Sequence, residues 1–528
     1  MGTPRIIIIG GGFAGVKCAK ILRKKLRDHE AEIVIFNREN HMVFHPMLAE
    51  VAGGSLNPDV VAAPLRQMLP KVKCRTEEVQ GVDLVNKEVV YEAHDGREAT
   101  MTYDHAVLAC GGVVNLGLVP GMADHAFPLK TVGDAVALRA HIMQQLEKAE
   151  VCEDEERRRW YLSFVVVGGG YSGVEAAGEI NDLARGSVRF FQNIHDDDIS
   201  VVIVHSRDQL LPEIGSKLRD FTREKMQQAG IEVVLNSRAA LATPDGIILK
   251  DERVIRAATV ICTIGSMASP VIKKLDVEME RDRPITEPDM RVKGHDSLWA
   301  IGDCALIINA EDGKPSPPTG QFAEREGKQA AYNIIRTLKG EETKPFSFKP
   351  LGQLCSIGGH RAVAEVFGLR ISGFFAWVMW RIIYLMKMPS WSRRFKAAFD
   401  WAWQIVFSRD LTHLKPDKTA RVSHAFYRDG DWIFREGDPA ADFYVLEKGE
   451  VEIVRGSGEK EIVLAKLAAG EFFGEMALLK DEPRNAGVRA KGNVEVVTMG
   501  KNVFQQISSS LGPLQELLEQ SMIERSRS

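Results

Sequence analysis

Residues 5–15 read RIIIIGGGFAG. The apolar run from Arg5 to Ile9 predicts a strand. It ends in Gly10, Gly12 and Gly15, after which Val16 to Leu22 take helical spacing. A bound pyrophosphate needs this order. The strand delivers the chain to a tight turn and the glycines let the backbone come close. The helix then offers unpaired N–H groups and the positive end of its dipole. A second strand, Glu32 to Phe36, follows at the expected distance. The acid that usually closes this strand and holds a ribose is replaced by Asn37, which can still hydrogen-bond a hydroxyl, with Arg38 beside it. A glycine turn without a ligand is the plainer alternative; the strand, helix and second strand around this one disfavour it.

The same grammar recurs at 164–179, FVVVGGGYSGVEAAGE, with Gly168, Gly170 and Gly173. Two such turns on one chain predict two dinucleotides: a held flavin, FAD, at the first and a diffusing nicotinamide nucleotide at the second. The strand after the second turn, SVVIV at 200–204, ends in His205-Ser206-Arg207. An acid there would bind the 2′-hydroxyl of NADH and repel a 2′-phosphate. None is present, and Arg207 could pair with a phosphate, so NADH and NADPH both stay open. The alternative for Arg207 is a solvated loop cation. Gly265 is a further candidate on this side.

Working outward, the 528 residues leave room for three or four domains at about 150 residues each. The expected class is α/β, with two Rossmann-like domains, the second inserted in the first. The FAD-binding domain occupies 1–118 and 289–365 and the NAD(P)H-binding domain 119–288. An amphipathic helical membrane segment covers 366–414, and a β-roll covers 419–528. Net charge is −4, from 68 basic and 72 acidic residues, which gives no footprint for nucleic acid. The seven cysteines include no C-x-x-C pair, which argues against zinc, iron–sulfur and thioredoxin-like chemistry, and no metal site is expected. The first strand starts too early for a signal peptide. Ile6 stands where a myristoylation motif after Met1-Gly2 requires Ser or Thr. The chain is therefore expected to be made and kept in the cytosol.

From about residue 4 to 414 the sequence resembles the type II NADH dehydrogenases, single-subunit flavoproteins that reduce membrane quinone. Beyond the glycine turns, the resemblance rests on residues 40–66 (NHMVFHPMLAEVAGGSLNPDVVAAPLR), which are similar to the flavin-side loop, with His45 in a glutamine slot. Residues 103–115 (YDHAVLACGGVVN) resemble the crossover out of the FAD domain, with Cys110 in a slot often held by threonine and Gly111 after it. FPLKT at 127–131 and LLPE at 210–213 also fit. WAIGDCA at 299–305 resembles the second FAD motif, in which Gly302 and Asp303 would meet the ribityl chain. PPTGQFAEREGKQ at 317–329 resembles the quinone-side helix, with Gln321 in place but Arg325-Glu326 replacing a glutamine pair. LGQLCSIGGHRAVA at 351–364 resembles the next segment, with Arg361 in a slot that often carries a basic residue. The resemblance implies hydride transfer from the nicotinamide to the flavin and two electrons onward to quinone; with no metal centre and no transmembrane helix expected, no proton pumping is expected. Its implied catalytic candidates are Glu175, near the nicotinamide, and Gln321 with Arg361, facing the acceptor end of the flavin. It also implies a homodimer at the cytoplasmic face of the inner membrane, peripheral or monotopic.

Residues 371–411 carry five of the eight tryptophans, with Arg381, Lys387, Arg393, Arg394 and Lys396 interrupting the apolar runs. No uncharged stretch reaches the roughly 18 residues needed to span a bilayer. Basic residues mixed with Trp and Phe at helical spacing predict helices lying in a membrane interface; a buried hairpin at a dimer interface is the alternative. Past the family pattern, Lys415 to Lys418 reads as a linker, and a β-rich domain follows. Its stretch FGEMALLKDEPRNAGVRA at 473–490 resembles the phosphate cassette of cyclic-nucleotide-binding domains. Gly474 would open a short helix, Glu475 would accept from a ribose 2′-hydroxyl, and Arg484 would pair with the cyclic phosphate of cAMP or cGMP, with Asn485 beside it. A roll used only for packing is the alternative.

Two rival functions remain at this point. A sulfide:quinone oxidoreductase-like flavoprotein needs a cysteine pair near the flavin, for which Cys152 and Cys355 are available. A cyclic-nucleotide sensor would keep the flavoprotein part only as scaffold and show negligible turnover. A disulfide reductase would need a paired-cysteine motif that the first helix lacks.

Overall fold

The structure is a computed structural model that describes residues 3–412 except 95, and 422–500 except 439–441, 457–460 and 481–482. The expected linker at 415–418 lies outside these residues. The chain divides into two compact units, 1–414 and 415–528.

Within the first unit, ten strands build two parallel sheets of five. They are β1 (Arg5–Ile9), β2 (Glu32–Phe36), β3 (Lys73–Arg75), β4 (His105–Leu108), β5 (Ala126–Pro128), β6 (Ser163–Val167), β7 (Ser200–Val204), β8 (Ile231–Val234), β9 (Thr259–Cys262) and β10 (Leu298–Ala300). The first sheet runs β10-β4-β1-β2-β3 and the second β5-β9-β6-β7-β8. In each, a glycine-turn strand, β1 or β6, lies at the centre. The chain moves one way to the next strand and later returns to the other side. Both turns therefore open at a topological switch point, beyond the carboxyl ends of the strands, where such sheets bind ligands. Ile9 is level with Phe36 on one side and Leu108 on the other; Val167 is level with Val204 and Cys262. Ile6 to Ile9 and Phe164 to Val167 are buried, as strands covered on both faces must be.

A two-stranded antiparallel bridge, Gly112–Val114 with Ser266–Ala268, carries the chain out to the second sheet and back. Ala268, Val271, Ile272 and Leu275 already pack in the core of the first sheet. The return crossing thus lies near residue 265, not at the 288 expected from sequence. The downstream limit also shifts. The antiparallel strands β11 (Gly352–Ser356), β12 (Ala362–Val366) and β13 (Leu369–Gly373) run across the expected boundary at 365. Cys355, Ile357, Val363 and Ala364 share a core with the flavin-side loop (Phe44, Met47, Leu48) and with two helices of the inserted domain, α2 (Val132–Glu150) and α3 (Tyr171–Ser187).

Helix α1 (Phe13–Lys25) follows the first turn. Helix α4 (Gly320–Leu338) lies against it closely enough that a Cβ on Gly327 would fall 2.2 Å from the Ala14 carbonyl oxygen. The membrane segment forms helices α5 (Phe374–Lys387) and α6 (Trp391–Val406), and no helix among the described residues is long and apolar enough to cross a membrane. Ala376, Trp380, Ala397 and Trp401 are buried in the core of the unit. The opposite face carries Phe374, Phe375, Ile382, Met386, Trp391, Phe395, Phe399, Trp403 and Phe407, all exposed. The last five recur every four residues, one stripe along α6.

Among the described residues, the second unit is an antiparallel sheet of six strands. Two strands of 14 residues, Asp442–Arg455 and Gly487–Gly500, pair along its middle. Leu446, Val451, Phe473, Val488, Val494 and Val496 form its core.

Candidate functional site

The two glycine turns are built alike. Gly10 and Gly168 have φ of +115° and +126°, which only glycine adopts freely. A Cβ on Gly15 would sit 1.9 Å from the Gly10 oxygen, and one on Gly173 1.8 Å from the Gly168 oxygen. Gly12 and Gly170 cap α1 and α3 with no side-chain hydrogen bond and nothing within 4 Å of where a Cβ would be. Each helix therefore ends on open space, with the first-turn N–H groups that a helix cannot pair internally. A pyrophosphate fits a cradle of this kind.

The residues that close β2 and β7 are also equivalent. Asn37 Oδ1 accepts the Gly11 N–H at 2.8 Å, and His205 Nδ1 accepts the Gly169 N–H at 3.0 Å. Both side chains thus hold the turn. Asn37 Nδ2 donates to the carbonyls of Glu39 and His41, so its amide is engaged locally. Because His205 accepts through Nδ1, its proton sits on Nε2, which is buried without a partner. Burial, then Arg207, lowers the His205 pKa and keeps the ring neutral. Ser206 and Arg207 are exposed, and Arg38 is exposed with its partner at Glu78.

On the flavin side, β4 and β10 end together. Cys110 and Gly111 follow β4, and Gly302, Asp303 and Cys304 follow β10. Burial pushes both thiols up, so they are protonated at neutral pH. Burial raises Asp303, opposed by Lys130 and Arg283. His45 lies against Phe13 of the first turn, and burial followed by Lys130 pushes it down to about 4. Lys130 therefore faces both flavin-side groups. Sequence reading did not single it out, although FPLKT had marked its segment.

Strand β11 ties the two sides together. Gln321, at the start of α4, donates to the Gly352 carbonyl at 3.0 Å. Tyr171, next to the second turn, donates to Gln353 Oε1 at 2.7 Å. Glu175 accepts the Ser356 N–H at 3.2 Å. Burial pushes Glu175 up to about 8, so its carboxyl is neutral at pH 7; it lies with Cys355 and Tyr384, whose own groups burial also raises. Gln321 and Arg361 are not brought together. Gln321 binds the first residue of β11, whereas Arg361 pairs through its backbone with Ile357, past the last. At roughly 3.3 Å per residue these anchors are more than 10 Å apart.

Arg361 instead lines a cavity of about 630 Å³ together with Glu179, Asp182, His360, Arg381 and Arg409. Glu179 accepts from Ser55 at 2.7 Å and pairs with Arg409 at 3.1 Å. Glu50 accepts the Trp401 indole N–H at 2.9 Å, and Arg381 stacks on Trp377 and Trp401. Burial raises both Glu50 and Asp182. Sequence reading missed this cluster; its one local signal is that Glu175, Glu179 and Asp182 share a face of α3. Cys152 and Cys355 stay separate. The Cys152 sulfur turns to the Asp154 carbonyl before β6, while Cys355 is buried beside Glu175.

In the second unit, Gly474, Glu475 and Arg484 come together. Glu475, buried, opens a six-residue helix to Lys480. Arg484 donates to the carbonyls of Gly474 at 2.6 Å and Asp442 at 2.5 Å, and its guanidinium lies 4.1 Å from the centre of the Phe434 ring. Its Nε is buried without a partner. Asn485 is exposed, reaching Met476.

Three family models match the chain: pyridine nucleotide-disulphide oxidoreductase over 4–327, NDH2 C-terminal domain over 351–410, and cyclic nucleotide-binding domain over 425–510. The chain is 31% identical over 418 residues to type II NADH:quinone oxidoreductase NdhA of Mycobacterium tuberculosis, covering 76% of this chain and 87% of that one. It is 29% identical to the internal alternative NAD(P)H-ubiquinone oxidoreductase A1, mitochondrial, of Arabidopsis thaliana, covering 78% and 86%. NDH2 of Plasmodium falciparum, solved with NADH, has the same fold, with a TM-score of 0.73 at 20% identity over 78% of this chain and 100% of that one. The sulfide:quinone oxidoreductase of Aquifex aeolicus is more distant, at a TM-score of 0.59 and 16% identity over 76% and 95%.

Proposed function

The chain belongs to the type II NADH:quinone oxidoreductases, and from that premise we propose that it is an FAD-dependent NAD(P)H:quinone oxidoreductase working at a membrane surface under cyclic-nucleotide control. The observation that carries the reading is β11. One strand is held by Gln321 from the helix on the flavin side and by Tyr171 and Glu175 from the helix on the nicotinamide side. On this reading the two nucleotide sites would share that strand as a wall.

The α1 terminus with Gly10, Gly12 and Gly15 would hold the FAD pyrophosphate, and Asp303 the ribityl chain. The α3 terminus would hold the nicotinamide nucleotide. When bound, the flavin supplies the hydride-accepting and electron-passing chemistry. The protein excludes water around the neutral Glu175 and keeps that carboxyl able to donate a hydrogen bond. At the end of β7, the exposed Arg207 offers a donor where an acid would usually stand, which supports use of NADPH as well as NADH. The aromatic stripe of α6 supports monotopic docking, with homodimer formation left to the same segment. In the second unit, Gly474, Glu475, Arg484 and Asn485 would take cAMP or cGMP.

One assay tests the reading: oxidation of NADH and NADPH by the flavin-loaded protein with a soluble quinone, with and without cAMP and cGMP, and sulfide as control donor. Quinone-dependent NADH oxidation is expected. Bound flavin with negligible turnover would reject it in favour of a sensor, and turnover with sulfide alone in favour of a sulfide oxidase.

A further inference from the structure

Glu326 stands where the family pattern carries a glutamine, and it is 2% exposed. Its Oε2 accepts the Gly302 N–H at 2.8 Å, next to Asp303, the residue expected to meet the flavin's ribityl chain. The carboxyl cannot withdraw. Phe322, Ala330, Ala331 and Ile334 of the same helix are buried in the first core, and Gly327 lies against the Ala14 backbone of α1. Asp303 and Cys304 face the carboxyl from the turn, and Ser316 faces it from the loop before α4. From α1, Lys20 interacts with Glu324 instead. Asp303 is relieved by Lys130 and Arg283, but among the described residues Glu326 has a carboxyl neighbour and no such cation.

We propose that Glu326 is a positioning residue for the flavin, which grips the Gly302–Asp303 turn through its carboxyl and makes flavin affinity depend on whether that carboxyl is protonated. The inference rests on the FAD reading above.

Burial, opposed by the Gly302 N–H, pushes Glu326 up to about 7 in the flavin-free protein. A flavin seated on the turn excludes more water and brings a pyrophosphate into the same domain; both favour the neutral acid. The bound state then has the higher pKa. By linkage, the extra affinity is present below the free value and is lost as pH rises through the bound one. Each unit of rise on binding corresponds to about a tenfold loss of affinity.

The test is FAD release from the full-length holoenzyme, followed by flavin fluorescence on dilution between pH 6 and pH 9. Wild type should hold FAD several-fold less tightly at pH 9. Glu326→Gln, which keeps an acceptor for Gly302 but cannot ionise, should hold it with little change across that window. Glu326→Ala should bind more weakly at every pH. Parallel wild-type and Glu326→Gln profiles overturn the inference while leaving the FAD reading intact. A flat wild-type profile overturns it without any variant. Wild type that carries no flavin overturns both.

Discussion

Replacing Phe395, Phe399 and Trp403 together by serine removes the middle of the α6 stripe. The three side chains are 71%, 63% and 51% exposed. Together they offer a little under two complete aromatic side chains to whatever covers them. Burying one such side chain is worth about 1.5–3 kcal/mol, so full insertion of the three contributes roughly 3–5 kcal/mol. Incomplete insertion brings this nearer 3, which is about a hundredfold in partitioning. The fold itself should lose little, because none of the three fills the core. The Phe399–Trp403 and Trp403–Phe407 stacks, with ring centres 5.8 Å and 4.1 Å apart, contribute about 0.5–1.5 kcal/mol each. The assay is co-sedimentation of the full chain with phosphatidylethanolamine–phosphatidylglycerol vesicles, with thermal unfolding as a control for folding. Wild type should stay bound in 0.5 M salt, since apolar insertion is not screened while charge attraction is. A triple variant that folds normally and partitions within threefold of wild type refutes the reasoning, and so does wild type that salt alone removes.

Three further outcomes follow from the site. The Glu175 carboxyl sits at about 8 against an ordinary 4.5, raised by burial. The stability of its neutral form is therefore complete below about 4.5 and is lost as pH rises through 8, to a limit of about 5 kcal/mol. Glu175→Gln should gain thermal stability over wild type at pH 9 and not at pH 5, and equal pH slopes would contradict this. Gly173→Ala places a Cβ 1.8 Å from the Gly168 oxygen. Opening the turn by that much should raise the NADH dissociation constant by roughly tenfold or more while leaving the flavin absorbance in place; loss of flavin instead would show that the two turns are not independent. Arg484→Ala removes two bonds to part-buried backbone carbonyls and a ring contact. It should cost the C-terminal unit about 2–4 kcal/mol in the full chain and abolish the calorimetric signal of cAMP, a prediction that retained binding would end.

Some of the site was written locally. Gly10, Gly12 and Gly15 announce a turn because only glycine fits there, and the stripe at 391, 395, 399, 403 and 407 announces a face because a helix repeats every 3.6 residues. The two strand–turn–helix units were legible for the same reason, since each reads from a dozen consecutive residues; the insertion of one domain in the other was implied by the resemblance and not by any local pattern. Domain limits were less legible. Ala268 to Leu275 carry no mark of which of two apolar cores they join, and only the bridge at 112–114 and 266–268 assigns them.

The sequence by itself therefore determined the two dinucleotide turns, the aromatic segment and the appended cassette. Tertiary structure decided what the polar side chains do. Asn37, expected to meet a ribose, and His205, expected on the nicotinamide side, hold the glycine turns. Gln321 and Arg361, expected at one place, sit at opposite ends of β11. Glu326 grips Gly302, Arg484 is held by backbone carbonyls, and Glu50 meets Trp401 across most of the chain. The physical reason is range. Turns and helix faces follow from backbone sterics among near neighbours. The partner, burial and charge of a carboxyl or guanidinium depend on which distant segments the topology folds against it.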